Sequence, residues 1–462
     1  MLWWCYYAFQ VVPAKGEGSP SPFVFLLLFV NMRLSYYLKT YPFPDKPGFS
    51  LFYSTKKGSV TLLKEDALSS IGEKSLPPKD EELLLRLGII VPDREAEVRD
   101  VHTVLERINE NNDTLNITVL PNLDCNFACT YCYEGEMKGR LYMNEETRTA
   151  LVAFIKERFR ENTKCLNIDF FGGEPLLSII FIRSLSAEMK SFAESRGAAY
   201  TFTLTTNGSL FRRDIAEELV RLGLTTAKIT LDGPPEVHNR CRPFRTGRGS
   251  FDIIIRNIKE TCDVVKTGLG GNFTKENYLQ FPKLLDYLQN EGLTPERICQ
   301  IKFDPVMPGP ADDKSKACLA DACMSINEPW LIEAGAFLRE EILRRGYSTP
   351  KIQPSLCQVE STDYYVVNYD GLIYKCPGFI GRKGFEIGSL KEGIRDYSET
   401  YRIGIYKNPE CRQCEYLPLC FGGCKYMAYI RDGNIDNPDC KRPYLDACLE
   451  TMIKQDIRYR KQ

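Results

Sequence analysis

The sequence predicts an α/β protein built from parallel strand–helix units, with a small α+β unit before them and a cysteine-rich, irregular region after them. Three observations carry this. Apolar, β-branched runs at 115–120, 166–171, 200–206, 226–231 and 298–303 alternate with amphipathic stretches at 144–160, 177–194, 211–222, 250–266 and 275–289, the pattern of an open sheet or of a full or partial barrel. Ahead of them, 48–54 and 59–63 alternate like paired strands around Lys56-Lys57-Gly58, and helical stretches follow at 64–71 and 80–87, the second stopping at Gly88. Behind them the cysteines bunch between 357 and 448, where little apolar periodicity remains to build a core.

These patterns divide the chain into 32–110, a winged-helix-like unit or helical cap; 115–327, the strand–helix repeat; 328–354, a helix and linker; and 355–450, the cysteine-rich region. Residues 1–31 belong to none of them. Their apolar run, 22–30, is far shorter than the roughly 20 residues that span a bilayer. It follows almost no positive charge and precedes no clear small-residue cleavage site. This stretch is read as a disordered extension or a mis-called start before Met32.

Composition narrows the chemistry. The 462 residues carry 60 Lys and Arg against 61 Asp and Glu, a net charge of −1. No basic excess exists to neutralise phosphates, which argues against a nucleic-acid partner. With 18 cysteines and only 2 histidines, His102 and His238, any metal site must rely on thiolates. Cysteines bunched in a long chain without an export signal read as ligands in a reducing cytoplasm rather than as disulfides.

The motifs stand where parallel strands end. Cys125-Asn-Phe-Ala-Cys129-Thr-Tyr-Cys132 follows the first strand directly. Three thiolates in one short loop can hold three corners of a four-iron cluster and leave the fourth iron open, whereas zinc more naturally takes a closed set of four. Phe170-Phe171-Gly172-Gly173-Glu174-Pro175 closes the second strand. Its glycines allow close backbone approach to a ligand, and Glu174 offers a carboxylate to an ammonium. Such a carboxylate is not expected to be a packing residue. Thr205-Thr206-Asn207-Gly208 ends the third strand and Thr230-Leu231-Asp232-Gly233-Pro234 the fourth, with His238-Asn-Arg-Cys-Arg242-Pro243 beyond; each also reads as a turn or a cap.

The C-x3-C-x2-C loop resembles that of the radical S-adenosylmethionine (SAM) enzymes. The resemblance implies a partial (β/α)6 radical SAM barrel, a SAM-binding [4Fe-4S] cluster on Cys125, Cys129 and Cys132, and SAM contacts from Gly172, Gly173, Glu174, Asn207, Thr230 and Arg242. The C-terminal region is similar to the SPASM domain: Cys357 is followed by 13 residues, Gly371, four residues and Cys376, then by Cys411-x2-Cys414-x5-Cys420-x3-Cys424 and Cys440. That likeness implies two auxiliary [4Fe-4S] clusters, three in all. Cys411, Cys414, Cys420 and Cys440 would hold one, and Cys357, Cys376 and Cys424 the other. Sulfatase maturases carry a further cysteine in 358–375, where this chain has none and Asp363 is the nearest substitute. They also carry an aspartate after the second cysteine, where this chain has Pro377. Apart from Asp363, no catalytic acid or base is identified. A zinc ribbon is the bland alternative for the C-terminal set.

Together the resemblances imply a peptide-modifying maturase that cleaves SAM reductively and acts on a ribosomally made precursor peptide, with thioether formation as one outcome. An external one-electron donor such as flavodoxin or ferredoxin would feed it, and no membrane partner is expected. The segment 32–92, with its downstream motifs, is most similar to the geopeptide maturases, and 32–110 to leader-peptide recognition units. The alternatives are an anaerobic sulfatase-maturating enzyme and a non-catalytic iron–sulfur electron carrier. Cysteines 5, 165, 241, 262, 299, 318, 323 and 448 are read mostly as core or incidental, with Cys318 and Cys323 as candidates for a redox role.

Overall fold

The computed structural model describes residues 32–64, 71, 76–307, 323 and 325–459. The reading of 1–31, most of the helix expected over 64–71, and Cys5 and Cys318 lie outside the described residues.

The N-terminal part pairs β1 (Arg33–Leu34) with β5 (Ile90–Val91) and folds β2 (Leu38–Pro42), β3 (Phe49–Ser54) and β4 (Ser59–Lys64) into an antiparallel sheet. Helices α1 (Pro78–Arg86), α2 (Arg94–His102) and α3 (Val104–Asn111) complete it. Asp93 caps α2 by accepting from the backbone N–H groups of Glu95 and Ala96. Alternation along β3 explains what this unit is attached to. Phe52 faces Ile71, Leu84, Ile89 and Ile90 of its own unit, whereas Leu51 and Tyr53 face Tyr416, Leu419, Leu445 and Leu449 of the cysteine-rich region. Polar contacts follow: the Tyr36 hydroxyl donates to the Gln413 carbonyl at 2.7 Å, Thr55 Oγ1 donates to the Glu415 carbonyl at 2.6 Å, and Lys39 pairs with Glu415 at 2.7 Å.

The central unit runs β6 (Thr114–Val119), α4 (Glu145–Arg158), β7 (Cys165–Phe170), α5 (Ile179–Ser195), β8 (Ala199–Thr206), α6 (Arg213–Leu222), β9 (Leu224–Thr230), α7 (Pro235–Cys241), α8 (Phe251–Thr261), β10 (Lys266–Phe273), α9 (Phe281–Asn290) and β11 (Ile298–Pro305). All six strands are parallel, in the order β11-β10-β9-β8-β7-β6. This is the parallel-rich α/β fold expected, with one strand and one helix more than the periodicity shows. Strand β10 reads Lys-Thr-Gly-Leu-Gly-Gly-Asn-Phe, and its glycines hide it from a propensity-based reading. The surrounding strands nevertheless bury it as the fifth of the six.

Side chains on the strand face opposite the helices are polar and form cross-strand ladders. Asn167 donates to Asn116 at 3.1 Å and Thr201 to Asn167 at 3.1 Å, and one step further along the strands Thr203 donates to Asp169. Burial pushes the Asp169 carboxyl up to about 6 and lowers the Lys228 pKa.

After α10 (Pro329–Arg344) the chain enters the cysteine-rich region. Its first strand, β12 (Tyr364–Val367), lies parallel to β6 and so extends the central sheet. Strands β13 (Leu372–Tyr374), β14 (Gly388–Ser389) and β15 (Gly393–Ile394) add on antiparallel, making ten strands in one sheet among the described residues. Helices α11 (Lys425–Asp432) and α12 (Arg442–Tyr459) follow, and buried Arg339 ties α10 to α12 by donating to the Met452 carbonyl at 3.0 Å and pairing with Asp456 at 2.6 Å. No helix among the described residues is long and apolar enough to cross a membrane.

Leu51 is fully buried on the face of β3 that meets the cysteine-rich region. Leu51→Ala should therefore cost about 2–5 kcal/mol in denaturant unfolding and make the N-terminal unit the first part released by limited proteolysis. Unfolding and cleavage patterns like those of the parent chain would show that this contact is not what attaches the unit.

Candidate active site at the strand ends

The loop after β6 is clamped between two neighbours. On one side Leu123 N–H donates to the Leu141 carbonyl at 3.0 Å, and Asn122 pairs with Tyr142. On the other, Ala128 and Thr130 donate to the carbonyls of Pro243 and Cys241 at 2.9 and 3.0 Å, and the Phe127 and Phe244 rings meet edge-on at 4.9 Å. Cys125, Cys129 and Cys132 thereby line one cleft of about 1160 Å³, its open mouth included, together with Gly172, Gly173, Asn207, Thr230 and Arg242. Eight of the nine residues expected at the SAM site are thus brought together.

Glu174 is the exception. It is fully buried behind the cleft wall. Its carboxylate accepts from Leu176 N–H at 3.0 Å, Thr206 Oγ1 at 2.8 Å and Asn207 N–H at 2.8 Å. Burial raises its pKa against these hydrogen bonds. The expectation that this side chain is offered to an ammonium, and is not a packing residue, is corrected: the carboxylate joins the ends of β7 and β8. The glycines are also used differently from expectation. A Cβ on Gly173 would lie 2.0 Å from the Asp124 carbonyl oxygen, and one on Gly172 2.5 Å from that of Asn122. The close approach they permit is first to the cysteine loop itself.

The cleft holds functional groups that the motifs did not reveal. Arg242 donates to the Tyr131 hydroxyl at 2.7 Å, Tyr131 donates to the buried Asp232 carboxylate, and Asn272 on β10 donates to Tyr131 at 3.1 Å and, through its backbone, to Asp232 at 2.7 Å. Gly270 and Gly271 line the same wall. The signal was the cluster of glycines before Asn272, which marks close packing rather than a loop. Lys138 stands near all three thiols; burial opposes its charge, yet Cys132, Cys125 and Cys129 raise its pKa overall.

The donor set fits an iron–sulfur cluster with SAM beside it. Burial pushes the Cys125 thiol up and that of Cys132 to about 11, a cost that coordination to a cation removes by stabilising the thiolate. Cys125 Sγ accepts from Phe127 N–H at 3.4 Å. Two polar atoms buried at the cleft, Thr205 Oγ1 and Arg242 Nε, have no partner among the described residues, as suits a wall made for a polar ligand.

The remaining predicted ligands form two further neighbourhoods. Cys357, Cys376 and Cys424 are mutual electrostatic neighbours, and Cys411, Cys414, Cys420 and Cys440 are another such group. In both, thiols accept N–H groups two residues onward: Cys357 from Val359, Cys376 from Gly378, Cys414 from Tyr416 and Cys420 from Gly422. Among the described residues no three Cys, His or carboxylate groups converge as a single metal ion requires.

Asp363 stands apart from both groups. Its carboxylate is engaged by Arg160 and by Asn112 at 3.0 Å. The β12–β13 register sets Val366 against Tyr374; continued two residues, it sets Tyr364 against Cys376. Alternation therefore turns Asp363 to the opposite face, and its proposed role as a substitute ligand is corrected on that ground. Cys323 is buried and Cys448 donates to the Tyr444 carbonyl at 2.9 Å from within the core.

A parallel sheet with thiols, glycines and polar groups converging at its strand ends defines a cofactor-dependent α/β enzyme. Residues 119–288 match the radical SAM superfamily; the chain carries a radical SAM domain, which implies a [4Fe-4S] cluster and SAM. A cysteine-type anaerobic sulfatase-maturating enzyme of Clostridium novyi is 23% identical over 346 residues, covering 68% of this chain and 88% of that protein. The radical SAM cyclopropyl synthase TigE of Paramaledivibacter caminithermalis is 22% identical, covering 74% and 73%. The solved structure of native anSMEcpe with bound AdoMet and Kp18Cys peptide superposes with a TM-score of 0.61 at 18% identity, covering 75% of this chain and 99% of that one.

Replacing Glu174 with Gln puts an amide N–H₂ where a backbone or hydroxyl donor now points. Glu174→Gln should lower stability by about 1–3 kcal/mol and weaken SAM binding as a consequence of the shifted β8 end. An unchanged unfolding midpoint combined with lost SAM affinity would restore the direct-contact role.

Proposed function

We propose that this enzyme is a maturase that modifies a ribosomally made precursor peptide, with two auxiliary [4Fe-4S] clusters in its C-terminal region. The observation that carries the reading is the sorting of ten cysteines into a SAM-side set of three and two further sets of three and four. The named relatives, which include sulfatase-maturating enzymes and a cyclopropyl synthase, support a protein or peptide substrate. The similarity of 32–110 to leader-recognition units supports a peptide that is held by adding a strand to a sheet edge.

When bound, the cluster and SAM would supply hydrogen abstraction from the peptide by reductive cleavage of SAM. The chain's own residues hold and enclose. Cys125, Cys129 and Cys132 would carry the cluster, the strand-end backbone at Gly172–Gly173 and the side chains of Asn207, Thr230 and Arg242 would hold SAM, and the Tyr131–Asp232–Asn272 network keeps Arg242 in place. Cys357, Cys376 and Cys424 would hold one auxiliary cluster by three thiolates, and a cysteine of the substrate would serve as a further ligand to it. A thioether is the product this favours. Sulfatase maturation is the weaker reading, because Pro377 occupies the position of the maturases' aspartate and offers no base.

Anaerobically reconstituted protein should hold about twelve irons, by three cubane clusters. Replacing Cys125, Cys129 and Cys132 with alanine should remove about a third of them and all SAM cleavage. About four irons with stoichiometric zinc would refute the auxiliary assignment. Separately, Asp363→Ala should leave the spectrum of the auxiliary clusters as it is. A clear spectral change would return Asp363 to the ligand set and argue against substrate ligation.

A further inference from the structure

Among the described residues three lysines are buried: Lys228, Lys375 and Lys425. Lysine is seldom buried unless its charge is answered. Two of the three flank ligands predicted for one set, Lys375 before Cys376 and Lys425 after Cys424. Both reach the stretch that follows the third ligand, Cys357. Lys375 Nζ donates to the Ser361 carbonyl and, at 2.6 Å, to that of Tyr364, with the ring centres of Tyr365 and Tyr397 each 5.0 Å away. Lys425 Nζ donates to the Glu360 carboxylate and, at 3.2 Å, to the Arg402 carbonyl. Arg402 itself is a non-glycine residue held at φ 46°, a costly conformation.

The charges around this set do not cancel. Glu360 answers Lys425, and Asp363 is engaged by Arg160. Asp439, which accepts from Cys424 N–H at 3.3 Å, is paired with Arg431 at 2.9 Å. That leaves the Lys375 ammonium without a carboxylate of its own among the described residues. Burial pulls Lys375 down to about 7 against Asp363, Glu360 and Cys357. At Cys357 burial raises the thiol's pKa, and Lys425 is the largest influence opposing that rise, ahead of the contrary effect of Glu360. We propose that Lys425 and Lys375 are positioning residues that face the Cys357–Cys376–Cys424 set with positive charge and thereby raise the reduction potential of the auxiliary cluster held there. This rests on the auxiliary-cluster reading of those three cysteines. A nearby cation favours the more negative, reduced cluster; one electron enters it and no bond breaks. Because the same two side chains also tie 357–364 to both other ligands, a structural role predicts loss of the cluster, whereas an electrostatic one predicts a shift whose sign follows the charge.

The test uses the anaerobically reconstituted enzyme, its iron content, and a redox titration followed by electron paramagnetic resonance. Lys425→Met and Lys375→Met each remove a cation, and Glu360→Gln removes an anion while keeping the side chain's shape. In both lysine variants the equilibrium constant for reducing one auxiliary cluster should fall about tenfold or more, a shift of about 59 mV or more for a one-electron couple. Glu360→Gln should move the same cluster the opposite way, and Lys425→Arg, which keeps the charge, should stay near the parent midpoint. The other two clusters should hold their midpoints throughout. Should neither methionine variant fold, Glu360→Gln and Lys425→Arg still decide the matter. Unchanged midpoints in the loaded variants, shifts of one sign on removing either charge, or loss of about four irons from Glu360→Gln and Lys425→Arg alike would overturn the proposal. A parent enzyme that holds only about four irons would instead refute the auxiliary-cluster reading itself, so the two failures are distinguishable.

Discussion

The crossing of two backbones at the ends of β6 and β7 is the constraint on which the site depends. Gly172 and Gly173 run so close beneath Asn122–Asp124 that any side chain would enter the carbonyl oxygens above. Glu174 N–H donates to the Asp124 carbonyl at 2.7 Å, and Asn122 Nδ2 reaches back to the Glu174 carbonyl at 3.2 Å and to Ser178 at 2.7 Å. The cysteine loop is therefore pinned immediately before Cys125. Because the Glu174 carboxylate also gathers the end of β8, three consecutive strand ends are held by one buried residue and its two glycines. A flexible loop of three thiols would lose much conformational freedom on binding a cluster; this one has already lost it.

The same logic recurs in the C-terminal region with a different device. Between Cys420 and Cys424 the chain turns through three successive left-handed residues, Phe421, Gly422 and Gly423. A Cβ on Gly423 would lie 1.9 Å from the Asp439 carbonyl oxygen. This compact turn passes the chain from the group of Cys411, Cys414, Cys420 and Cys440 to that of Cys357, Cys376 and Cys424. Phe421 is a non-glycine in a costly conformation, and its ring is buried in the cluster with Tyr37, Leu105 and Tyr406. The burial offsets the backbone cost and ties the turn to the N-terminal unit. That unit, the region of Cys411 and Cys414, and α12 are thus one packed body.

Much of the architecture was legible because parallel strand–helix units repeat a simple hydrophobic alternation, and because thiolate ligands are bound to short spacings in the chain. Strand β10 escaped because its glycines carry no such alternation, and with it went Asn272 and the glycine wall of the cleft. The network of Tyr131, Asp232, Arg242 and Asn272 joins residues from the ends of β6, β9 and β10. No local pattern reports a hydrogen bond between residues more than a hundred positions apart.

By itself the sequence determined the class of fold, the existence of a three-thiol loop at the first strand end, and the count of cysteines available for further sets. Each of these is a local property, set by periodicity or by ligand spacing within a few residues. Tertiary structure alone decided which way the carboxylates point. Glu174 turns inward because the ends of β7 and β8 present three donors to it, and Asp363 turns away from the thiols because strand alternation puts it on the face of Arg160 and Asn112. A carboxylate goes to the donors that surround it in space, and those donors come from parts of the chain that the local sequence does not reveal.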